Sequence, residues 1–299
     1  MPVIGFLHGA SPDARRMAAF RLGLSEGGFV EGRNVTIDYR LAEGRFDRLP
    51  EFAADLVRRR VSVIATPGNT AAALAAKAAT MAIPIVFGVS EDPVRFGLVA
   101  SLGRPGGNAT GINYSTTEIV AKRLELLREM VPRARRIAVL LNPANVTNAR
   151  LTLQEVEVAA RALRIEIQVH NASTGREIDS AFAALGRQRP NGVFVAPDSF
   201  YSTRREQLSA LAARYAIPAV YSVRDYVEAG GLMSYGPDIA DMFRKVGAYT
   251  ARILNGSKPE DLPVEQVAKF ELTINRRTAD ALKLTIPPSL LLRADDVIR

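Results

Sequence analysis

The chain has 299 residues, of which 47% are hydrophobic and 23% are charged, and its formal net charge is +8. This length is sufficient for two globular lobes, each with its own core, and no apolar run approaches the roughly 20 residues of a membrane span. The absence of cysteine excludes disulfides and thiolate chemistry, and two histidines leave little for a metal site, so we expect neither a metal nor a cofactor.

The positive charge is spread along the chain. Arginines occur in short groups at 58–60, 133–136, 204–205 and 276–277, several of them at the ends of predicted helices, where cations suit the helix dipole. Neither a helix-turn-helix pattern nor an aromatic-basic platform accompanies them. We therefore interpret the charge as a solvated surface and expect no nucleic-acid partner.

The first part of the chain alternates short apolar runs with amphipathic segments. Strands are predicted at 3–7, 35–39, 61–65 and 85–87, and helices at about 11–26, 46–60 and 70–80. This order predicts a parallel sheet covered by helices on both faces. The Gly23–Gly27 segment matches a G-x-S-x-G nucleophile elbow, but it ends an amphipathic helix instead of following a strand, so we interpret it as a helix terminus.

Polar residues follow these strands where an open α/β sheet binds its ligands. His8 leaves the first strand, and Ser90 and Asp92 leave the fourth. Asn69 and Thr70 lie at the start of an alanine-rich helix, whose free N–H groups favour an anion such as a ligand carboxylate. Ordinary helix capping by the same residues is the alternative.

The second part of the chain repeats the scheme. Strands are predicted at 137–141, 166–169, 193–195 and 218–221, and their exits carry Asn142, Asn145, Asp198 and Ser222. A carboxylate such as Asp198 can receive an ammonium group. Together with Asp92 it could also perform acid/base chemistry, but nothing supplies the nucleophile, metal or oxyanion donors of a hydrolase.

The remaining segments set the expected lobe boundaries. A strand at 232–235, which contains Tyr235, is predicted to return to the first lobe, and a helix follows through Leu254. We expect an N-terminal lobe of 1–112 plus about 232–256, and a C-terminal lobe of 113–231 plus about 257–299 on which the tail packs. Tyr221 and Tyr235 either line a pocket or lie at the edge of a core.

One stretch of the chain carries a family resemblance. It resembles the signature of the ABC transporter substrate-binding protein family that includes tryptophan/tyrosine uptake proteins. The segments that carry it are Asp92-Pro93-Val94, Gly97-Leu98-Val99, Ser101-Leu102, Arg104-Pro105-Gly106-Gly107-Asn108 and Thr110-Gly111. The resemblance implies a type I periplasmic-binding-protein fold: two doubly wound parallel-sheet lobes with a hinge cleft and three crossovers. It also implies a periplasmic or lipid-anchored protein, with a leader that is absent from this sequence.

The same resemblance implies a non-enzymatic binder of an amino-acid-like ligand, aromatic ones included, that delivers its ligand to ABC permease subunits. Thr66, Asn69 and Thr70 would hold the ligand carboxylate. Ser90 and Asp92 would line the first lobe, and Asp198 would receive the α-ammonium group. The other implied contacts are Asn142, Asn145, Ser222 and Tyr235. A ligand-sensing protein of the same fold and a hydrolase using Asp92 and Asp198 are the alternatives.

Overall fold

The chain folds as two compact units, each assembled from two separate segments. The computed structural model describes residues 1–12, 14–114, 117–267 and 270–299. The first unit contains Met1–Ser115 and Ile239–Ala268, and the second contains Thr116–Asp238 and Lys269–Arg299. The chain therefore passes from one unit to the other at three points.

The first unit is built on a six-stranded sheet. Its strands are β1 (Val3–His8), β2 (Thr36–Leu41), β3 (Val63–Thr66), β4 (Ile85–Val89), β5 (Ala109–Asn113) and β11 (Glu265–Gln266). Its helices are α1 (Ala14–Glu26), α2 (Leu49–Arg58), α3 (Thr70–Ala79) and α10 (Ile239–Leu254). All strand pairs are parallel, in the order β11-β5-β4-β3-β1-β2.

This sheet has a hydrophobic core on each face. Ile4 and Phe6 of β1 pack with α1 and α10, whereas Leu7 packs on the opposite face with α2 and α3. Because both faces are covered, every residue of β3 and β4 is buried. The continuous apolar runs seen in the sequence are typical of such central strands.

Two glycines allow α1 and α10 to pack closely. A Cβ atom at Gly23 would lie 1.8 Å from the carbonyl oxygen of Arg244, and one at Gly247 would lie 2.1 Å from that of Phe20. Gly23 is thus a residue of a helix interface, and α1 ends at Glu26, in agreement with our interpretation of the 23–27 segment as a helix terminus.

The second unit contains a seven-stranded sheet in the order β13-β12-β10-β9-β8-β6-β7. Its strands are β6 (Arg136–Leu141), β7 (Glu166–Asn171), β8 (Gly192–Val195), β9 (Ala219–Tyr221), β10 (Met233–Pro237), β12 (Phe270–Asn275) and β13 (Asp296–Ile298). Its helices are α4 (Thr117–Met130), α5 (Val146–Leu163), α6 (Gly175–Gln188), α7 (Ser199–Thr203), α8 (Arg205–Arg214), α9 (Asp225–Glu228), α11 (Arg276–Ala281) and α12 (Pro288–Arg293). The pairs are parallel except β10 with β12.

The structure corrects the segment assignments at the unit boundaries. Strand β10 does not return to the first unit, since Met233 pairs with Val220 of β9 and with Ile274 of β12. Helix α10 makes that return instead. Residues 257–267 belong to the first unit, because β11 pairs with β5 and Leu262 is buried in that unit's core. The C-terminal tail packs on the second unit as expected.

Both sheets share one strand order around their centre. In the first unit it is β2-β1-β3-β4-β5, and in the second β7-β6-β8-β9-β10. In such doubly wound sheets the strand order reverses at the first strand, because the second strand lies on one side of it and the third strand on the other. A crevice opens at the carboxyl ends of the first and third strands, on either side of this reversal. The crevice positions are therefore the exits of β1 and β3 in one unit and of β6 and β8 in the other.

None of the helices among the described residues is both long enough and apolar enough to cross a membrane.

Candidate functional site

Five polar residues of the first unit lie where its strands end, and we call them the first-unit set. Each is at most 9% exposed, although each carries a hydroxyl, amide or carboxylate group. They are Thr66, Asn69, Thr70, Ser90 and Glu91. Thr66 ends β3, Asn69 and Thr70 begin α3, and the last two residues follow β4.

The carboxylate of Glu91 is the centre of this set. The hydroxyl group of Ser90 donates to its Oε2 atom at 2.8 Å, and the Thr70 hydroxyl group donates to the same atom. The side-chain amide of Asn113 supports the loop, since its Nδ2 atom donates to the Glu91 carbonyl oxygen at 2.8 Å. A negative charge is thereby held beside the first residue of α3, where helix N–H groups favour it.

Asn69 caps α3, as the capping alternative predicted. Its Oδ1 atom accepts a hydrogen bond from the Ala72 amide at 2.8 Å. A Cβ atom at Gly9 would lie 2.6 Å from Asn69 Nδ2, so the exit loop of β1 packs directly on this cap. The exits of β1 and β3 are therefore in contact, as the sheet order requires.

Several titratable side chains of the first unit are buried at or near the strand exits described above. Arg16 and Tyr114 are buried, and burial, reinforced by the negative charge of Glu91, raises the pKa of the Tyr114 hydroxyl. His8 is buried as well, with its Nδ1 atom 3.0 Å from the Ala10 amide nitrogen. Burial lowers the pKa of His8 to about 4, and Arg16 acts in the same direction. His8 is thus neutral at neutral pH.

Two residues of this unit that the sequence predicted as ligand contacts, Asp92 and Thr66, form none of the hydrogen bonds to Glu91 described above. Asp92 is exposed, and its Oδ1 atom accepts from the Val94 amide at 2.9 Å, so it stabilises the following turn. Thr66 is fully buried, and its hydroxyl oxygen has no hydrogen-bond partner among the residues that the structure describes.

Four side chains of the second unit form a connected network, which we call the second-unit set. Its members are Asn142, Asn145, Ser173 and Asp198. The two amides donate to separate oxygens of Asp198, Asn142 to Oδ1 at 3.1 Å and Asn145 to Oδ2 at 2.8 Å. Ser173 donates to Asn142 Oδ1 at 2.9 Å. The exits of β6 and β8 are thereby joined.

Asp198 is also the N-cap of α7. The amides of Phe200 and Tyr201 donate to its Oδ1 atom at 2.9 Å and 3.3 Å. Burial raises the pKa of Asp198 above its ordinary value, against the lowering effect of these four donors. The carboxylate thus holds two amide side chains and a helix start in place.

Ser222 and Tyr235 are linked by a residue that sequence reasoning missed. Arg123, on α4, is fully buried, and its Nε and Nη2 atoms donate to the carbonyl oxygens of Tyr235 at 2.6 Å and Ser222 at 3.3 Å. Burial lowers the pKa of Arg123 to about 9. Its Nη1 atom has no hydrogen-bond partner within the described part of the chain. The Tyr235 ring lies 6.2 Å from that of Phe270.

Glu91 was missed for a different reason from Arg123. It lies between Ser90 and Asp92, both of which the sequence singled out, but alternation along an extended segment does not say which residue is buried. Its position directly after a buried strand was the available signal. Arg123 gave no such signal, because a basic residue beside Lys122 on a helix is typical of a solvated face.

Comparison with known proteins identifies the group to which these features belong. A family model described as ABC transporter substrate binding protein matches residues 1–298. A tyrosine-binding protein of Clostridioides difficile (strain R20291) is 29% identical over 265 residues, which are 89% of this chain and 75% of the relative.

Solved structures agree with this match. The ABC domain in complex with L-Trp from Streptococcus pneumonia superposes with a TM-score of 0.86 at 25% identity, covering 99% of both chains. A periplasmic binding protein/LacI transcriptional regulator of Alkaliphilus metalliredigens QYMF reaches a TM-score of 0.61 at 12% identity, covering 91% of this chain and 97% of its own. That second likeness supports the type I periplasmic-binding-protein fold alone.

Proposed function

The chain belongs to the ABC transporter substrate-binding protein family, and from this premise we propose that it binds an amino acid and delivers it to the permease subunits of an ABC importer. The observation that carries the proposal is the family match over residues 1–298. The tyrosine-binding relative and the L-Trp complex support an aromatic amino acid as the ligand. L-Tyr is the first candidate, because this chain has no tryptophan to stack on an indole.

The proposal includes a location and a partner. A protein that hands a solute to an importer works outside the cytoplasm, so we place it in the periplasm or on the outer face of a membrane through a lipid anchor. Its macromolecular partners are then the transmembrane subunits of the permease.

The residues of the first-unit set and of the second-unit set are each proposed as ligand contacts of their own unit. Their positions at the strand reversals of the two sheets support this assignment. Ser222 and Tyr235 are proposed as further contacts. Asp92 stays outside the proposed site, because its exposed carboxylate is engaged in a turn.

A binding screen tests the proposal. The full chain is titrated with the common amino acids, by thermal shift first and then by isothermal titration calorimetry. A ligand present at 100 times its Kd should stabilise the protein by about 2.7 kcal/mol. L-Tyr is expected to bind and to be recovered chemically unchanged. Failure of every amino acid to bind would refute the proposal, and turnover of the ligand would favour the hydrolase alternative.

Matched asparagine variants test the site. Asn145→Ala removes a half-buried amide that holds Asp198, and we expect L-Tyr binding to weaken about 10-fold, the effect of one hydrogen bond to a charged group. Asn171→Ala removes an exposed amide at the end of edge strand β7 and should leave the Kd unchanged. Equal affinities in the two variants would exclude Asn145 from the site.

A further inference from the structure

Three neighbouring strands of the second unit carry a row of hydroxyl groups, which we call the hydroxyl row. Its members are Tyr221 on β9, Ser234 on β10 and Thr273 on β12. Ser234 is paired with Tyr221 on one side and with Thr273 on the other, so the three residues lie side by side across the sheet. Each is at most 1% exposed. The hydroxyl row is therefore a polar strip in the interior of the second unit.

The hydroxyl row lies on the face of the sheet that α9 covers. Side chains alternate between the two faces of a sheet, and Val220, Met233 and Ile274 belong to the hydrophobic core formed with α4 and α5. The members of the hydroxyl row are the next residues along these strands, so they face the opposite side. In agreement, the ring of Tyr221 stacks on that of Tyr226, a residue of α9, with 4.6 Å between the ring centres.

The hydroxyl oxygens of the row share an unusual property. None of the three has a hydrogen-bond partner among the residues that the structure describes. A buried hydroxyl group that has lost its bonds to water and gained no others is costly, so most buried polar groups in proteins are hydrogen-bonded. Single exceptions occur, but here three lie next to one another. Such a cluster indicates a bound molecule that completes their hydrogen bonds.

Two carbonyl oxygens of α9 on this side of the sheet are already fully used. That of Tyr226 accepts from the Ser209 hydroxyl group at 3.1 Å and from a backbone amide at 2.8 Å. That of Val227 accepts from the side-chain amide of Asn275 at 3.2 Å and from a backbone amide at 3.0 Å. A carbonyl oxygen has two lone pairs, so neither of these oxygens can serve the hydroxyl row as well.

We propose that the hydroxyl row binds internal water. A water molecule both donates and accepts, so it can satisfy hydroxyl groups that do not bond to one another. Buried water typically forms about three hydrogen bonds to polar groups that have no other partner, which matches the three hydroxyl groups of the row. Ser209 borders the same space, since burial raises the pKa of the Tyr221 hydroxyl group and the Ser209 hydroxyl group acts in the opposite direction.

The place of this water in the second unit gives it a structural role. Tyr221 directly precedes Ser222, and Ser234 directly precedes Tyr235. Water bound to the hydroxyl row would therefore support β9 and β10 one residue before the two proposed ligand contacts. The inference itself does not depend on which ligand the protein binds.

A high-resolution crystal structure of the full chain tests the proposal directly. We expect a water molecule within about 3.0 Å of the hydroxyl oxygens of Ser234 and Thr273. Serine and threonine at opposite positions of antiparallel strands can instead bond to each other. A direct bond between these two hydroxyl groups, or no water at hydrogen-bonding distance from them, would overturn the proposal.

Thr273→Val provides a second readout, because bound water and a dry interior predict changes of opposite sign. Valine has nearly the shape of threonine but forms no hydrogen bond to water. Bound water would be left with fewer partners, so we expect the equilibrium constant of unfolding, measured in urea, to rise about 10-fold. In a dry interior the substitution would remove an unsatisfied group and stabilise the protein. An unchanged or lower unfolding constant would overturn the proposal.

Thr36→Val is the matched control for this measurement. Thr36 begins β2 and is exposed, so the same substitution there should change the unfolding constant by less than about 3-fold. An equally large rise in both variants would count against bound water, because the effect would then belong to valine in a strand and not to the hydroxyl row.

Discussion

Arg123 shows how much a single residue can depend on its tertiary surroundings. It is fully buried, and two of its nitrogens hold the carbonyl oxygens of Ser222 and Tyr235. A buried cation is costly unless such acceptors compensate for its lost hydration. Arg123 thus positions the end of β9 against β10, and with it two residues of the proposed site.

Arg123→Lys should therefore destabilise the protein. An ammonium group on a flexible stem lacks the fork that reaches both carbonyl oxygens, and one unsatisfied buried acceptor costs about 1–3 kcal/mol. We expect the free energy of unfolding in urea to fall by about 2 kcal/mol at pH 7. Lys122→Ala, which removes a partly exposed neighbour, is the control and should change the free energy of unfolding by less than about 0.5 kcal/mol. Similar effects of both changes would refute the bridging role.

His8 predicts a pH dependence of stability. Its pKa is lowered by burial from 6.5 to about 4, so the unfolded chain binds a proton between these pH values and the folded chain does not. Stability is therefore lost as the pH falls from 6.5 toward 4, by up to about 3 kcal/mol for this group.

The test compares His8→Gln with the wild type in urea at pH 7 and at pH 4.5. The variant should lose less stability between the two values than the wild type does. His170→Gln serves as the control. Burial lowers the pKa of this half-buried histidine as well, but the dependence of the free energy of unfolding on pH should change less in His170→Gln than in His8→Gln. If the free energy of unfolding of His8→Gln changed with pH as much as that of the wild type, the conclusion that His8 is buried in its neutral form would be wrong.

At the scale of elements, the close contact of α1 and α10 joins two segments more than 200 residues apart in the chain. The hydrophobic faces of both helices are visible in the sequence, and so are their approximate ends. The short distance between the two helices is not visible in the sequence, since it depends on Gly23 and Gly247 each facing the backbone of the other helix.

Gly23→Ala tests this contact. Alanine improves helix propensity by about 1 kcal/mol, but its Cβ atom would lie 1.8 Å from the Arg244 carbonyl oxygen, and overpacking of this kind costs about 3 kcal/mol. We expect a net loss of about 2 kcal/mol in urea unfolding. At Gly103 an added Cβ atom meets nothing within 4 Å, so Gly103→Ala should be neutral. A stabilised Gly23→Ala variant would show that the helices are not in close contact.

At the scale of the whole molecule, each unit is completed by a second segment that comes later in the chain, after residues that belong to the other unit. The first unit takes α10 from after residue 238, and the second takes β12 and β13 from after residue 269. Met242, Phe243 and Val246 of α10 belong to the first unit's core, and Ile274 of β12 belongs to the second's. Neither unit is therefore complete in a chain that ends before α10.

Truncation after Asp238 tests this dependence. The shortened chain lacks core residues of both units, so we expect it to show no cooperative thermal unfolding transition by circular dichroism. Removal of Arg299 alone is the control and should leave the Tm unchanged. A truncated chain with a wild-type transition would mean that the first unit folds without α10.

The sequence by itself determined the elements and their class. Period-2 and period-3.6 patterns are local consequences of backbone geometry, so runs such as 137–141 and 193–195 predicted buried strands close to β6 and β8. The polar exits at Thr66–Thr70 and Asn142–Asn145 were likewise found from their places after the predicted strands 61–65 and 137–141.

Only the tertiary structure decided which of these parts meet. The pattern of β10 predicts a strand but not its sheet, because the hydrogen-bonding partners of a strand lie elsewhere in the chain. In the same way, the burial of Glu91 and the exposure of Asp92 were decided by the folded structure, and two of the four donors to Asp198, the amides of Asn142 and Asn145, come from side chains distant in sequence. Contacts between distant segments leave no period in the sequence.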